Sequence, residues 1–257
     1  IDKAYCLYKS IKDFNKDFGF NLFLCEINKV KNIKKVFKDA NVYYLNEIYN
    51  QKKDIEEIVS KYNVTELNTC IKAKCFQFLF KEKTKVLYID PDIEIFDELS
   101  DLNHYLDDYE ALLTPHLLTP YNDLLKPSNI DILSSGTNNF GFLGLKNSED
   151  TERFLKWWDK QLYESCFNDT SIGVFTDQKF GEFIPSFIKN VFVIKEPNYN
   201  VAYWNLHERN ITKEGENYFV NSKKLKFFHF SGLPQDLKLV SKHQNRIKIK
   251  TSSNTYK

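Results

Sequence analysis

The stretch KVLYIDPDIEIF, residues 85–96, decides the fold class of this chain. Its first part, KVLYID, is a β-branched and aromatic run with the length of a buried strand. Apolar residues recur at helical spacing just before it, between residues 66 and 83, as at Leu67, Ile71 and Cys75. A helix followed directly by a short apolar strand is typical of an α/β sheet.

Helices and short apolar strands alternate outward from this stretch in both directions. Upstream, we predict a helix over residues 2–18, a strand in FNLFLCEI, a short helix and a strand within residues 31–48, and a polar helix over residues 51–62. Downstream, ALLTPH, FGFLGLK, VFVIKE and KLKFFHF are predicted as strands and TERFLKWWDKQLYESC as a helix. This order predicts a Rossmann-like α/β fold, with a mostly parallel mixed sheet flanked by helices.

The predicted sheet also suggests where a ligand binds and how the chain is divided. Ligands of open α/β sheets collect beyond the carboxyl ends of the strands, so we expect the site at the end of KVLYID. We expect one domain over residues 1–257, with a nucleotide-binding part at about 1–100 and an acceptor- and sugar-binding part at about 101–245. Because the sequence opens on a helix followed by a strand, we expect a first strand to be missing at the N-terminus.

Composition excludes several classes of protein. Thirty-six basic and 35 acidic side chains leave a formal charge of +1, which is too balanced for a protein that holds nucleic acid on a broad basic face. The five cysteines are odd in number and form no C-x-x-C pair, which argues against a disulfide framework and fits a cytoplasmic location. No apolar run is long enough to span a membrane, although peripheral binding at its inner face stays open.

Two aspartates, Asp90 and Asp92, close the KVLYID strand. In an extended backbone residues i and i+2 project to one side, so we expect both carboxylates to face one point. Two adjacent anions are stable together when a cation lies between them, and oxygen-rich sites of this kind suit Mg²⁺ or Mn²⁺.

Two other interpretations of the acidic pair stay open at this point. An isolated D-x-D is most often an acidic turn, with Pro91 shaping the corner. A phosphatase of the haloacid dehalogenase type also places D-x-D after a strand, with the first aspartate as nucleophile. Such enzymes usually have Thr or Val two positions further on, where this chain has Glu94.

Four motifs in order resemble the family 8 glycosyltransferases and their bacterial relatives. They are the strand with D-x-D in YIDPDIEIF, the N-x-G of Asn139-Phe140-Gly141, the pair Asp177-Gln178, and the H-x-x-G of His229 to Gly232. The segment ELNTCIKAK is also similar to a helix of the bacterial relatives. The resemblance covers essentially the whole chain.

This resemblance implies a retaining, metal-dependent glycosyltransferase of GT-A fold. The donor would be a nucleotide-diphosphate sugar, usually linked to UDP, and the metal ligands would be Asp90, Asp92 and His229. An imidazole nitrogen beside two carboxylates favours Mn²⁺ over Mg²⁺, which prefers all-oxygen surroundings.

The resemblance also assigns roles around the sugar. Asn139 and Asp177 match positions that hold sugar hydroxyls, and Gln178 matches a position near the anomeric carbon, so Asp177 and Gln178 are the candidate catalytic residues. From the residues alone, Asn139 could equally be a turn residue and Asp177 a helix N-cap.

Further candidates for donor binding come from the same motifs. Thr69 and Lys72 lie one turn apart on the predicted helix, where they could reach the donor phosphates, although an exposed lysine is the commoner outcome. Gly232 would let the backbone approach phosphate closely. The family often has a diphosphate-binding lysine after H-x-x-G, and this chain offers Lys238 or Lys242 instead.

Trp204, His207 and Arg209 lie in an aromatic-rich stretch, PNYNVAYWNLHER, and are candidates for donor or acceptor contacts. His116 follows a predicted strand and either lines the same cleft or serves a structural turn.

As a whole, these features predict transfer of a hexose to an acceptor hydroxyl, in surface glycan or polysaccharide synthesis. The acceptor would be a glycan, a lipid-linked glycan or a protein. The alternatives are a non-catalytic module that binds a nucleotide sugar and the D-x-D phosphatase.

Overall fold

Helices and short strands alternate along the chain, as the sequence predicts. The structure, a computed structural model, describes residues 1–234 and 239–248. The helices are α1 (Asp2–Phe14), α2 (Ile33–Val36), α3 (Leu45–Ile48), α4 (Lys52–Lys61), α5 (Val64–Cys70), α6 (Lys72–Leu79), α7 (Ser100–Asp108), α8 (Asn129–Ser135), α9 (Glu149–Ser165), α10 (Thr176–Gly181) and α11 (Ile184–Phe187), with a 3₁₀ helix at Thr170–Ile172. The strands are β1 (Phe20–Leu24), β2 (Ala40–Tyr44), β3 (Lys85–Ile89), β4 (Ile93–Ile95), β5 (Ala111–Leu113), β6 (Phe142–Lys146), β7 (Val191–Val193), β8 (Ile211–Glu214), β9 (Asn217–Val220), β10 (Lys223–Lys224) and β11 (Phe227–His229).

A four-stranded sheet in the order β3-β6-β5-β7 forms the centre of the fold. Strand β6 runs antiparallel to both β3 and β5, whereas β5 and β7 are parallel. A second pair, β1 and β2, is parallel, and β4 pairs with β11 in antiparallel fashion. The short β8-β9-β10 meander packs on a separate apolar cluster near the C-terminal part of the described chain.

Apolar cores cover both faces of the central sheet. On one face, α6 and α9 bury a cluster that includes Phe76, Phe154 and Trp158. On the other face, α1 and α7 bury a cluster that includes Leu7, Leu102 and Phe142. A sheet buried on both faces has apolar residues in succession along its strands, which explains the near-continuous apolar runs of β5 and β6.

Helix α9 shows why these residues form a helix in this position. Ser148 caps its start by accepting a hydrogen bond from the Thr151 amide, and acidic residues occupy its first turn, where they stabilise the helix dipole. Phe154, Trp158 and Leu162 follow at intervals of four residues and face the core.

The predicted helix over residues 66–83 is wrong in one respect, because it is broken in two. Ile71 is both the C-cap of α5 and the N-cap of α6. Asn63 starts α5 with a capping box, in which its side chain accepts from the Glu66 amide and the Glu66 carboxylate accepts from the Asn63 amide. Thr69 and Lys72 also differ in surroundings, because Lys72 is buried and Thr69 is only partly buried.

Within residues 1–234 and 239–248, no helix is both long and apolar enough to cross a membrane.

Gly181 allows α10 to pack closely on the segment before β6 that contains Asn139 and Phe140. A Cβ at this position would overlap the ring of Phe140. We expect Gly181→Ala to lower the free energy of unfolding by about 1–3 kcal/mol, because the buried ring has to move. Chemical denaturation measures this effect.

Gly19→Ala is the matched control, because no heavy atom lies within 4 Å of a Cβ built there. Its free energy of unfolding should stay within about 0.5 kcal/mol of the unmodified protein. Equal stability of both variants would contradict the packing described for α10.

Candidate functional site

Pairing of β4 with β11 brings His229 beside the two aspartates of residues 90–92. In this antiparallel pair His229 lies opposite Ile93, and the amide of Phe230 donates to the carbonyl of Asp92 at 2.8 Å. The amide of His229 donates on its other side to the carbonyl of Val201 at 2.7 Å. The backbone that carries the imidazole is therefore held by hydrogen bonds to two neighbouring segments.

The acidic pair lies in a turn and not in an extended strand. Strand β3 ends at Ile89, and the amide of Ile93 donates to the carbonyl of Asp90 at 3.0 Å, which closes a β-turn around Pro91. The expected extended geometry of the two aspartates is thus wrong, but their carboxylates still converge. The amide of Asp90 donates to the carbonyl of Gly141 at 2.7 Å, which joins the turn to the start of β6.

Asp90, Asp92 and His229 form a cluster that can hold a metal ion. One ligand atom from each residue lies within 4.8 Å of the other two. His229 Nε2 is 3.0 Å from Asp92 Oδ1 and 3.8 Å from Asp90 Oδ2. The imidazole is almost fully buried, while the carboxylates are 28% and 19% exposed for Asp90 and Asp92. The cluster is open to a ligand from the carboxylate side.

Charge around Asp92 keeps its carboxylate ionised. Burial raises the pKa of Asp92. The hydrogen bond and charge of His229, together with Lys3, lower this pKa by more than burial raises it, so it lies below its usual value. Lys3 Nζ lies 3.5 Å from Asp92 Oδ2. An ionised carboxylate is the form that binds a hard divalent cation.

Asn139 fixes the orientation of the His229 ring. Its side-chain oxygen accepts from the Gly141 amide at 3.2 Å and from Asn200 Nδ2 at 2.9 Å, which identifies the oxygen end of the amide. His229 Nδ1 lies 3.2 Å from the same oxygen and therefore donates to it. Metal ligation requires the neutral ring, in which this bond leaves the Nε2 lone pair facing the carboxylates; without a metal, a protonated ring would instead donate from Nε2 to Asp92.

Gly141 explains the spacing of the N-x-G motif. A Cβ at this position would overlap the His229 ring and press on the side-chain oxygen of Asn139. The motif thus combines an amide that holds the imidazole with a glycine that leaves room for it.

Both ends of the Asn139 amide are occupied by protein groups. Its nitrogen lies 3.2 Å from His116 Nε2 and 3.5 Å from the side-chain oxygen of Gln178, and the residue is 8% exposed. The structure places Asn139 against His229, and its contact with sugar hydroxyls stays a prediction.

Asp177 lies in a buried ion pair with Lys72. Its Oδ2 accepts from Lys72 Nζ, which also donates to the carbonyl of Phe140 at 2.8 Å. Both side chains are at most 4% exposed. Burial raises the pKa of Asp177, an effect that Lys72 opposes and the nearby charge of Asp90 reinforces. Asp177 lies in the first turn of α10, whose N-cap is Phe175.

Tyr88 connects this ion pair to the cluster of Asp90, Asp92 and His229. The sequence analysis did not identify this residue. Its hydroxyl donates to Asp90 Oδ1 at 2.6 Å, and the ammonium of Lys72 lies 4.0 Å from its ring centroid. Burial, with the charge of Asp90, raises the pKa of Tyr88 well above its usual value, so the phenol stays a donor. Because Tyr88 and Asp90 are two residues apart, strand alternation was the signal that could have identified it.

Gln178 is also held by protein groups. Its side-chain oxygen accepts from the Phe140 amide at 3.0 Å, and its side-chain nitrogen donates to the carbonyl of Ser135 at 2.8 Å. The residue is 6% exposed. Gln178 thus links α10 to the end of α8 and to the backbone beside Asn139.

The other residues predicted to bind the nucleotide-sugar donor lie at different places around the cluster. Trp204 is buried with its ring perpendicular to that of His229 at 5.2 Å between centroids, and its indole nitrogen has no hydrogen-bond partner among the described residues. The Thr69 hydroxyl donates within its own helix, to the carbonyls of Thr65 and Glu66.

Gly232 lies in a turn after β11 with a φ of 67°, where glycine is favoured. A Cβ there would overlap the ring of His243, so the segment at residues 241–243 covers it. Lys242 is exposed, and Lys238 lies outside the described residues.

The remaining candidates from the aromatic-rich stretch are engaged elsewhere. Arg209 is buried and donates to the carbonyl of Tyr199, and burial lowers its pKa to about 10. His207 contacts the carbonyl of Thr119 at 3.1 Å. His116 is buried edge-on to Trp204, and burial lowers its pKa to about 4, so it is neutral at physiological pH.

Two non-glycine residues at the site adopt left-handed backbone. Thr176, next to Asp177, has a φ of 48°, and Asn200, a partner of Asn139, has the same value. This conformation costs about 1–2 kcal/mol at Thr176, whose Cβ is branched, and less at Asn200, because asparagine adopts it more readily.

Comparison with known proteins identifies the fold. No protein-family model matches the chain. Over 158 residues it is 29% identical to YfnF, an uncharacterised protein of Bacillus subtilis strain 168; the match covers 59% of this chain and 50% of that protein. The chain therefore spans about half the length of this relative.

Two solved structures share the fold over most of the chain. The apo form of mouse xyloside xylosyltransferase 1 matches with a TM-score of 0.53 and 14% identity, covering 90% of this chain and 91% of that one. An active-site mutant of LgtC matches with a TM-score of 0.51 and 14% identity, covering 90% and 84%. The GT-A fold predicted from the sequence is confirmed, and both neighbours are glycosyltransferases.

The hydroxyl of Tyr88 should contribute to metal binding by holding Asp90 in place. We expect Tyr88→Phe to weaken Mn²⁺ binding about tenfold, because the carboxylate loses the donor that orients it. Isothermal titration with Mn²⁺ in the presence of UDP measures the affinity.

Tyr105→Phe serves as the control, because that ring belongs to α7 and packs against Phe192 of β7. It should bind Mn²⁺ as the unmodified protein does. Unchanged affinity in Tyr88→Phe would show that the phenol does not position Asp90.

Proposed function

We propose that this chain is a retaining glycosyltransferase that moves a hexose from a UDP-linked donor to an acceptor hydroxyl with the help of a divalent cation. Membership of family 8 belongs to this proposal, and so does a role in surface glycan or polysaccharide synthesis. The acceptor would be a glycan, a lipid-linked glycan or a protein. The proposal rests on the site as well as on the fold, because one fold carries many activities.

The observation that carries the proposal is the convergence of Asp90, Asp92 and His229. These residues are distant in sequence, yet the turn after β3 and the β4–β11 pair place their ligand atoms within 4.8 Å of one another. Two carboxylates held this close repel each other, and a divalent cation between them would relieve that repulsion. A cation with a phosphorylated ligand accounts for the arrangement.

The donor set fits a divalent cation that accepts nitrogen as well as oxygen ligands. Two carboxylate oxygens and one imidazole nitrogen suit Mn²⁺ better than Mg²⁺. The Nδ1–H of His229 is already held by Asn139, which gives the outer hydrogen bond that ligating histidines almost always have. When bound, such a cation would neutralise the negative charge that develops on the departing diphosphate.

Lys72 and Asp177 would act on the sugar end of the donor. Glycosyl transfer passes through an oxocarbenium-like state with positive charge on the sugar. Asp177 is a carboxylate in surroundings of low dielectric constant, and its interaction with Lys72 keeps it in one orientation. Its negative charge would stabilise the developing cation.

Gln178 would lie near the anomeric carbon, where the acceptor hydroxyl attacks from the face that the diphosphate leaves. Its two hydrogen bonds, to Phe140 and Ser135, hold its amide still during the reaction. No side chain is assigned as a covalent nucleophile.

Replacing one ligand tests the proposal directly. We expect Asp92→Asn to lower Mn²⁺-dependent hydrolysis of UDP-hexoses by about 100-fold or more, because the cation loses an anionic ligand where charge develops. The fold should remain intact, since Asp92 is partly exposed in a surface turn. Release of UDP from a panel of UDP-hexoses measures the activity.

Asp150→Asn is the matched control, because Asp150 pairs with Arg153 on the surface of α9, outside the cluster. It should retain full activity. Undiminished turnover in Asp92→Asn would contradict the proposal. If the unmodified chain binds UDP without hydrolysing any donor, it is a non-catalytic module, and release of phosphate from an aryl phosphate would identify a phosphatase.

A further inference from the structure

Lys3 of helix α1 reaches the open side of the candidate metal centre. Its Nζ lies 3.5 Å from Asp92 Oδ2, whereas His229 Nε2 faces the other oxygen of the same carboxylate, Oδ1, at 3.0 Å. The Lys3 side chain is 62% exposed, in contrast to the almost fully buried imidazole. The ammonium therefore lies where a ligand that approaches the carboxylates from solvent can contact it.

Packing of α1 on β4 brings Lys3 to this position. The hydroxyl of Ser10 accepts a hydrogen bond from the amide of Ile95 at 3.1 Å. Ala4, the residue after Lys3, is buried in the same apolar cluster as Ile95. Because β4 begins directly after Asp92, these contacts hold the first turn of the helix beside the acidic turn.

Neither helix stability nor the ion pair with Asp92 explains a lysine at this position. The first turn of a helix carries positive partial charge from its unpaired amide groups, so a cation is disfavoured there and an anion is favoured. Lys3 lies in this turn, as the second residue of α1. An ion pair as exposed as that of Lys3 contributes little to folding. The position is suited instead to a negatively charged ligand.

The charges of the centre leave Lys3 available for an anion once a divalent cation is bound. The two positive charges of the cation would balance those of Asp90 and Asp92, because a ligating imidazole is neutral. The ammonium of Lys72 is not available, since it is buried against Asp177. Among the lysines that the structure describes, Lys3 is the one that pairs with a carboxylate of the cluster.

The Lys3 side chain can change its partner without movement of the helix. Lysine carries a compact charge on a flexible four-carbon stem. Lys3, Asp90 and Asp92 line the same cavity, so there is space beside the carboxylates for the ammonium to move. Rotation about side-chain bonds is therefore enough to transfer the ammonium from Asp92 to a phosphate group bound next to it.

We infer that Lys3 is a donor-binding residue, whose ammonium leaves Asp92 when a divalent cation binds and pairs with the diphosphate of the nucleotide sugar. The inference rests on the proposed function and adds to it a residue from α1. Without the cation, the ammonium offsets part of the negative charge of the two carboxylates. With the donor bound, it stabilises the charge that builds up on the departing diphosphate.

Binding of UDP at saturating Mn²⁺ tests the role of Lys3, and calorimetric titration measures it. We expect Lys3→Ala to weaken UDP binding about tenfold, because the diphosphate loses a charge-assisted hydrogen bond. Lys3→Arg keeps a positive charge that bonds phosphate, so its affinity should stay within about threefold of the unmodified protein.

Lys9→Ala is the matched control, because Lys9 is an exposed lysine further along the same helix. It should bind UDP as the unmodified protein does. All three variants should melt at the temperature of the unmodified protein in the absence of ligand, since both lysines are exposed.

Titration with Mn²⁺ in the absence of nucleotide separates a phosphate contact from an effect on the metal ligands. Lys3→Ala should bind Mn²⁺ at least as tightly as the unmodified protein, because no ammonium competes for Asp92. Two results would overturn the inference. One is an unchanged UDP affinity in Lys3→Ala, and the other is a loss of Mn²⁺ affinity as large as the loss of UDP affinity, which would show that Lys3 supports the metal ligands instead.

Failure of this inference and failure of the proposed function give different results. Absence of UDP binding to the unmodified protein with Mn²⁺ present would reject both. UDP binding that Lys3→Ala leaves unchanged would reject the role of Lys3 alone, and the proposed glycosyl transfer would stand.

Discussion

Antiparallel pairing of β4 with β11 is the interaction on which the candidate site depends. It places His229 opposite Ile93 and ties the amide of Phe230 to the carbonyl of Asp92. A shift of one residue in this register would turn the imidazole to the other face of the strand. The cluster of Asp90, Asp92 and His229 therefore exists only if the late part of the chain folds back onto the segment after β3.

Behind the cluster, buried polar groups hydrogen-bond one another, while Asn200 Oδ1 and Trp204 Nε1 have no partner among the described residues. Asn139 connects His229 with Asn200, and the Lys72–Asp177 ion pair reaches Asp90 through Tyr88. Burying polar groups is costly unless they find partners, and groups that bond one another in this way have few alternative arrangements. Rigid ligands of this kind are suited to binding a cation and a charged transition state.

Local sequence patterns predicted the helices and strands better than the breaks and turns between them. The strand KVLYID and the helix α9 follow from periodicity, and the D-x-D and H-x-x-G motifs identified Asp90, Asp92 and His229, which the structure brings together. Periodicity could not show the break at Ile71 or the turn at Pro91, because caps and close packing decide both. The internal partners of Asn139 and Gln178 depend on contacts between distant segments, which one sequence does not encode in a readable pattern.

Anomalous diffraction at the manganese edge tests the account most directly, on crystals grown with Mn²⁺ and UDP. We expect one strong peak within about 2.0–2.3 Å of oxygens of Asp90 and Asp92 and of His229 Nε2. A peak elsewhere, or ligation by the aspartates with the His229 ring turned away, would contradict the proposed metal centre.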